Sequence, residues 1–216
     1  MNDALPRWGD RRRTRVGLLG GSFNPAHAGH RHIALLARRR LRLHQVWLLV
    51  SPGNPLKPRR GMAALPARLA AARSIADGRR VVATAIEATL GTRYTLATLA
   101  ALRRRFPRVR FVWLMGADNL VQLPRWNRWL QIPVLVPIAV LPRPTYNHRA
   151  LAGQAAQRLR HARRRVGAAP ALAAMAPPAW LFLPAAQHSA SASAIRAAAT
   201  GEQDHRPQAA HATLAA

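Results

Sequence analysis

Arg15-Val-Gly-Leu-Leu-Gly20-Gly-Ser-Phe-Asn-Pro-Ala-His27-Ala-Gly-His30 is an apolar run ending in glycines, then a loop, then two histidines three positions apart. The apolar part reads as a short buried strand. Gly20, Gly21, Ser22, Phe23, Asn24 and Pro25 carry loop chemistry. From 27 to about 42 the pattern turns helical: Ile33, Leu35, Leu36 and Leu41 are apolar, and Arg38, Arg39 and Arg40 suit the C-terminal dipole. His27 and His30 therefore share one face of a helix start. Backbone N–H groups there favour anions, and two imidazoles add donors aimed at the same place. Gly20, Gly21 and Gly29 let backbone and ligand approach closely. The run reads as a phosphate site built from donors.

Working outward, strands are expected at 45–50, 80–85, 109–115, 134–140 and 180–183. Helices are expected at 62–76, 94–106, 126–132, 149–165 and 193–199, with Thr92 or Thr95 as a candidate cap for the second of these. The strands are continuous apolar runs that alternate with helices. That pattern predicts an α/β fold with a doubly wound, mostly parallel, Rossmann-like sheet and helices on both faces. Ligands in such sheets bind beyond the C-terminal strand ends. The unusual sequence lies there, at 20–30, 51–58, 116–119 and 142–146. Residues 1–14 are expected to form a basic arm, 15–200 the domain, and 201–216 a poorly ordered tail.

The chain has 216 residues, 50% of them apolar, enough to fill one core. It contains no cysteine, which excludes disulfides, thiolate metal sites and cysteine nucleophiles. No apolar run of 18 residues occurs, and the N-terminus lacks a signal-peptide pattern, so a soluble cytoplasmic protein is expected. The formal charge is +27, a first sign of nucleic-acid binding. Yet Lys57 is the only lysine, so the cations are almost all arginine. Arg, Ala, Pro and Gly share GC-rich codons, so the excess reads as mutational bias; an unremarkable GC content in the gene would refute that. Between Thr14 and Thr200 the only acids are Asp77, Glu87 and Asp118.

Neither GxxxxGK[ST] nor GxGxxG follows the first strand, which argues against a P-loop enzyme and a dinucleotide oxidoreductase. A second helix start, Ser189-Ala-Ser-Ala-Ser-Ala-Ile-Arg196, offers serine caps and an arginine one turn in. The GGSFNPAHAGH run resembles the HxGH signature of the nucleotidyltransferase superfamily. SASAIR resembles its C-terminal SSTxIR signature. Between them, Asn54-Pro-Leu-Lys57, Arg93-Tyr-Thr-Leu-Ala-Thr-Leu99, Gly116-Ala-Asp-Asn-Leu120, Trp126 and Arg143-Pro144 follow in the order of one branch. That branch is the bacterial nicotinate-nucleotide adenylyltransferases, and the resemblance covers about residues 15–197.

The resemblance implies transfer of the adenylyl group of ATP to nicotinate mononucleotide, with Mg²⁺ carried on the ATP phosphates and no covalent intermediate. It implies that His27, His30, Lys57 and Arg196 are catalytic. Gly20, Gly21, Ser22, Phe23, Gly116, Asp118, Ser191 and Ser193 would complete the ATP site. Tyr94, Thr95, Trp126 and Arg143 would bind the nicotinate nucleotide, with Trp126 stacked on the pyridine ring. Asp118 would bind a ribose hydroxyl, and Glu87 would orient loops or arginines. Arg143 reads equally as a solvated loop residue. Two departures stand out: Ala97 occupies a position where the branch often has Asp, and Ala192 erodes the C-terminal signature. The competing readings are a sister enzyme using phosphopantetheine or nicotinamide mononucleotide, and a basic nucleic-acid-binding protein. The aromatic content of 6% argues against the last, because stacking platforms interleave aromatics with arginine.

Overall fold

The computed structural model describes residues 13–53 and 61–185. Six strands, β1 (Arg15–Gly21), β2 (Gln45–Val50), β3 (Val81–Thr84), β4 (Arg110–Gly116), β5 (Ile138–Leu141) and β6 (Trp180–Phe182), form one sheet. Its order is β3-β2-β1-β4-β5-β6, and every pairing is parallel. The predicted doubly wound sheet is therefore present, and wholly parallel among the described residues. The strand order reverses between β1 and β4, and a crevice opens at such a switch point.

Strand alternation divides the core in two. On one face Val16, Leu18, Trp47, Leu49, Phe111 and Trp113 pack with residues of α4 (Thr95–Arg105) and α5 (Ala117–Gln122). On the other, Leu19, Leu48, Val50, Val112 and Leu114 pack under α1 (Ala28–Arg40) and α2 (Leu65–Ser74). The remaining helices are short: α3 (Ile86–Thr89), α6 (Ile132–Leu135), α7 (Asn147–Ala152) and α8 (Gln154–Arg158).

Several expectations need correcting. The apolar run at 134–140 begins as α6, with a proline in its first turn, and only Ile138–Leu141 is strand. The single helix expected at 149–165 is broken at Gly153, the C-cap of α7 and N-cap of α8. A 3₁₀ helix at Val166–Ala174 and α5 itself add to the expected elements. Neither Thr92 nor Thr95 caps α4: its N-cap is Tyr94, without a side-chain cap bond. The helix expected at 126–132 shrinks to a 3₁₀ turn at Trp129–Gln131, followed by α6. The arm at 1–12, the tail and the helix expected at 193–199 lie outside the described residues. Among the described residues, no helix is long and apolar enough to cross a membrane.

Candidate active site

A cleft of about 550 Å³ opens over the C-terminal ends of β1 and β4. Of the predicted site residues, Gly20, Gly21, Ser22, Phe23, His27, His30, Tyr94, Thr95, Gly116, Asp118, Trp126 and Arg143 all line it. Lys57, Ser191, Ser193 and Arg196 lie outside the described residues.

The glycines have local reasons. A Cβ on Gly20 would sit 2.6 Å from Cη2 of Trp113, so β1 can pass under that indole only without a side chain. A Cβ on Gly21 would stand 3.2 Å from the Phe23 ring, which is buried with a left-handed backbone (φ 48°). The Asn24–Pro25 bond is cis. Asn24 ties the loop to the approach of α2: its Nδ2 donates to the Gly61 carbonyl, and its Oδ1 accepts from the Ala63 N–H.

His27 is the N-cap of α1 and is buried. Its backbone N–H donates to Nδ1 of His30 at 3.2 Å, and the two rings stand 3.8 Å apart. Nδ1 of His30 is thus an acceptor, which assigns the ring proton to Nε2. Burial, His27 and Arg143 together lower the His30 pKa to about 3. At neutral pH His30 is an uncharged imidazole whose Nε2–H is a donor, in the first turn of α1. That pairing suits a phosphate oxygen that must be bound, repositioned and released.

The far wall is aromatic and mixed in polarity. Trp126 is half-buried and stands edge-on to Trp113, with centroids 6.5 Å apart. Tyr94 is exposed at the rim and opens α4. Asp118 faces Arg143 at 3.6 Å, a loose and partly exposed pair of small energetic weight. A Cβ on Gly116 would meet both side chains, so this glycine lets them approach the strand end.

Two lining or supporting residues had other or no expected roles. Glu87 is buried, and its Oε1 accepts from Oγ1 of Thr98 at 3.2 Å, with Ser51 a second hydroxyl partner. Burial raises its pKa, and the two hydroxyls partly oppose that. It orients loops through hydroxyls rather than through arginine. Arg68 is buried at 3% exposure beneath the β1 and β2 loops, and burial lowers its pKa. Nothing in the sequence separates it from the other arginines.

Among the described residues, no group of three His, Asp or Glu side chains could cage a metal.

A switch-point cleft with histidine donors on a helix N-terminus, facing an aromatic pocket, suits a nucleotide-handling α/β enzyme of the nucleotidyltransferase class. Residues 18–198 match the cytidylyltransferase-like family model. The chain is 56% identical over 210 residues to a protein of Gluconacetobacter diazotrophicus named "probable nicotinate-nucleotide adenylyltransferase", covering 97% of this chain and 98% of that one. A relative of the same name from Gluconobacter oxydans is 60% identical over 182 residues, covering 84% of this chain and 93% of that one. The chain belongs to the nicotinate-nucleotide adenylyltransferase family. Its fold is also that of a Plasmodium falciparum nicotinic acid mononucleotide adenylyltransferase solved with APC. The TM-score is 0.62 at 13% identity, covering 85% of this chain and 83% of that one.

Proposed function

We propose that the chain transfers the adenylyl group of ATP to nicotinate mononucleotide, giving nicotinate adenine dinucleotide and pyrophosphate, in the cytoplasm. A 5′-phosphate oxygen of the mononucleotide forms a bond to the α-phosphorus, and the bond from that phosphorus to the α–β bridging oxygen breaks. The attacking oxygen is already anionic, so no general base is required. Positioning and charge stabilisation supply the catalysis.

His27, His30 and the N-terminus of α1 hold the α- and β-phosphates. The neutral Nε2–H of His30 donates to an oxygen that gains charge as the transfer proceeds. Lys57, Arg196, Ser191 and Ser193 grip the remaining triphosphate oxygens. Gly20, Gly21, Ser22 and Phe23 shape the loop under the nucleotide, and Gly116 and Asp118 meet its ribose. Trp126 offers a flat face to the pyridine ring. Tyr94 and Thr95, at the start of α4, present backbone N–H groups to its carboxylate. Arg143 is placed to attract the mononucleotide phosphate. Mg²⁺, bound through the ATP phosphates, supplies charge neutralisation there.

The observation that carries this reading is the His27–His30 pair over a switch-point cleft, in a chain 56% identical to a relative of this name. The test is pyrophosphate release with ATP, Mg²⁺ and either nicotinate or nicotinamide mononucleotide. Release with the acid is expected. No product with either nucleotide refutes the enzyme, and preference for the amide refutes the acceptor.

A further inference from the structure

Arg68 lies in α2 and does not itself line the cleft, yet it is almost wholly buried. A buried guanidinium normally has a carboxylate partner. This one instead binds backbone carbonyls from three separate segments. Its Nε donates to the Ala63 carbonyl at 2.8 Å. One Nη1 donates to the Ser22 carbonyl at 2.8 Å and to the Ser51 carbonyl at 2.7 Å. Nη2 reaches the Pro52 carbonyl at a longer 3.5 Å.

Ser22 follows β1 and lies five residues before His27, while Ser51 and Pro52 follow β2. Ser51, Glu87 and Tyr94 all line the cleft. One cation thus joins the phosphate loop, the loop after β2 and the entry of α2. Its planar fork fits this task because its donors diverge at fixed angles, which a lysine ammonium cannot reproduce. Satisfying loop carbonyls with a charged donor also fixes where those loops stand.

We propose that Arg68 is a positioning residue for adenylyl transfer: through the Ser22 and Ser51 carbonyls it sets the phosphate loop against the loop after β2. This rests on the nucleotidyl-transfer reading above. Loss of the fork lets the loop settle away from the geometry that His27 and His30 need. A displacement near 1 Å is worth about a hundredfold in rate.

The experiment compares the parent chain with R68K and R68M in steady-state pyrophosphate release. Rates are normalised to the folded fraction from near-UV circular dichroism at 25 °C. Expected are a fall in kcat of at least tenfold for R68M, a smaller fall for R68K, and a KM for nicotinate mononucleotide within twofold of the parent. If R68M melts below the assay temperature, R68K carries the same test: its kcat must fall at least threefold while its fold is intact. Parent-like kcat per folded molecule in either folded variant overturns the proposal and leaves Arg68 a stabiliser only. Inactivity of the parent refutes the reaction itself, which keeps the two failures distinct.

Discussion

His30 offers a prediction in which one side chain links stability, tautomer and chemistry. Its imidazole is held neutral by burial, by His27 and by Arg143, with a pKa of about 3 against 6.5 in an unfolded chain. Between those two values the unfolded chain binds more protons at this position than the folded one. Stability therefore rises with pH across that window, is complete above about 6.5, and is lost progressively as pH falls toward 3. The full span corresponds to about 5 kcal/mol, an upper bound because the ring borders an open cleft. H30N removes the titration while keeping a side chain able to accept the His27 N–H. The assay is urea denaturation from pH 4 to pH 8, paired with ¹⁵N correlation spectra of histidine. The parent loses several kcal/mol between pH 6.5 and pH 4 beyond what the variant loses. In the spectra His30 remains in its Nε2–H form at pH 5. A His30 ring that titrates near 6.5, or equal acid profiles for parent and variant, refutes the reasoning.

Other outcomes follow from the same geometry. W126A removes the flat face opposite the acceptor: its KM for nicotinate mononucleotide rises at least tenfold while the KM for ATP moves less than threefold, as steady-state kinetics will show. E87Q acts on a carboxyl whose folded pKa is raised, so the parent loses stability as pH climbs from 4.5 through that folded value. Urea melts at pH 8 should find E87Q at least as stable as the parent, with the gap closing at pH 4. G20A forces a Cβ to within 2.6 Å of the Trp113 ring. It should cost about 1–3 kcal/mol in thermal or urea unfolding and shift the tryptophan emission.

The sheet was legible because parallel strands covered on both faces are continuous apolar runs, as in 45–50 and 109–115. The phosphate loop was legible because glycines, a proline and paired histidines crowd one junction. Periodicity failed at 134–140, where a buried apolar run suits helix or strand equally and Pro133 started a helical turn. It failed again at Gly153, whose Cβ-less backbone lies against the Arg149 carbonyl and separates two short helices. Arg68 was hidden among many arginines, and only burial and its carbonyl partners distinguish it. Glu87 stands out in the sequence as one of few acids, but its hydroxyl contact with Thr98 belongs to tertiary structure and leaves no local pattern.

The sheet order has a consequence for how the enzyme comes into being. β1 and β4 flank the cleft as direct neighbours, yet the paired residues Val16 and Phe111 stand 95 positions apart. The segment from β1 to β3 can pair locally as it leaves the ribosome, but it owns only one wall of the cleft. The other wall arrives with β4, after a long loop has been closed at an entropic cost that local contacts cannot offset early. A complete cleft for substrate therefore requires the β1–β4 pairing. Bound nucleotide stabilises only chains that have completed the central pairing.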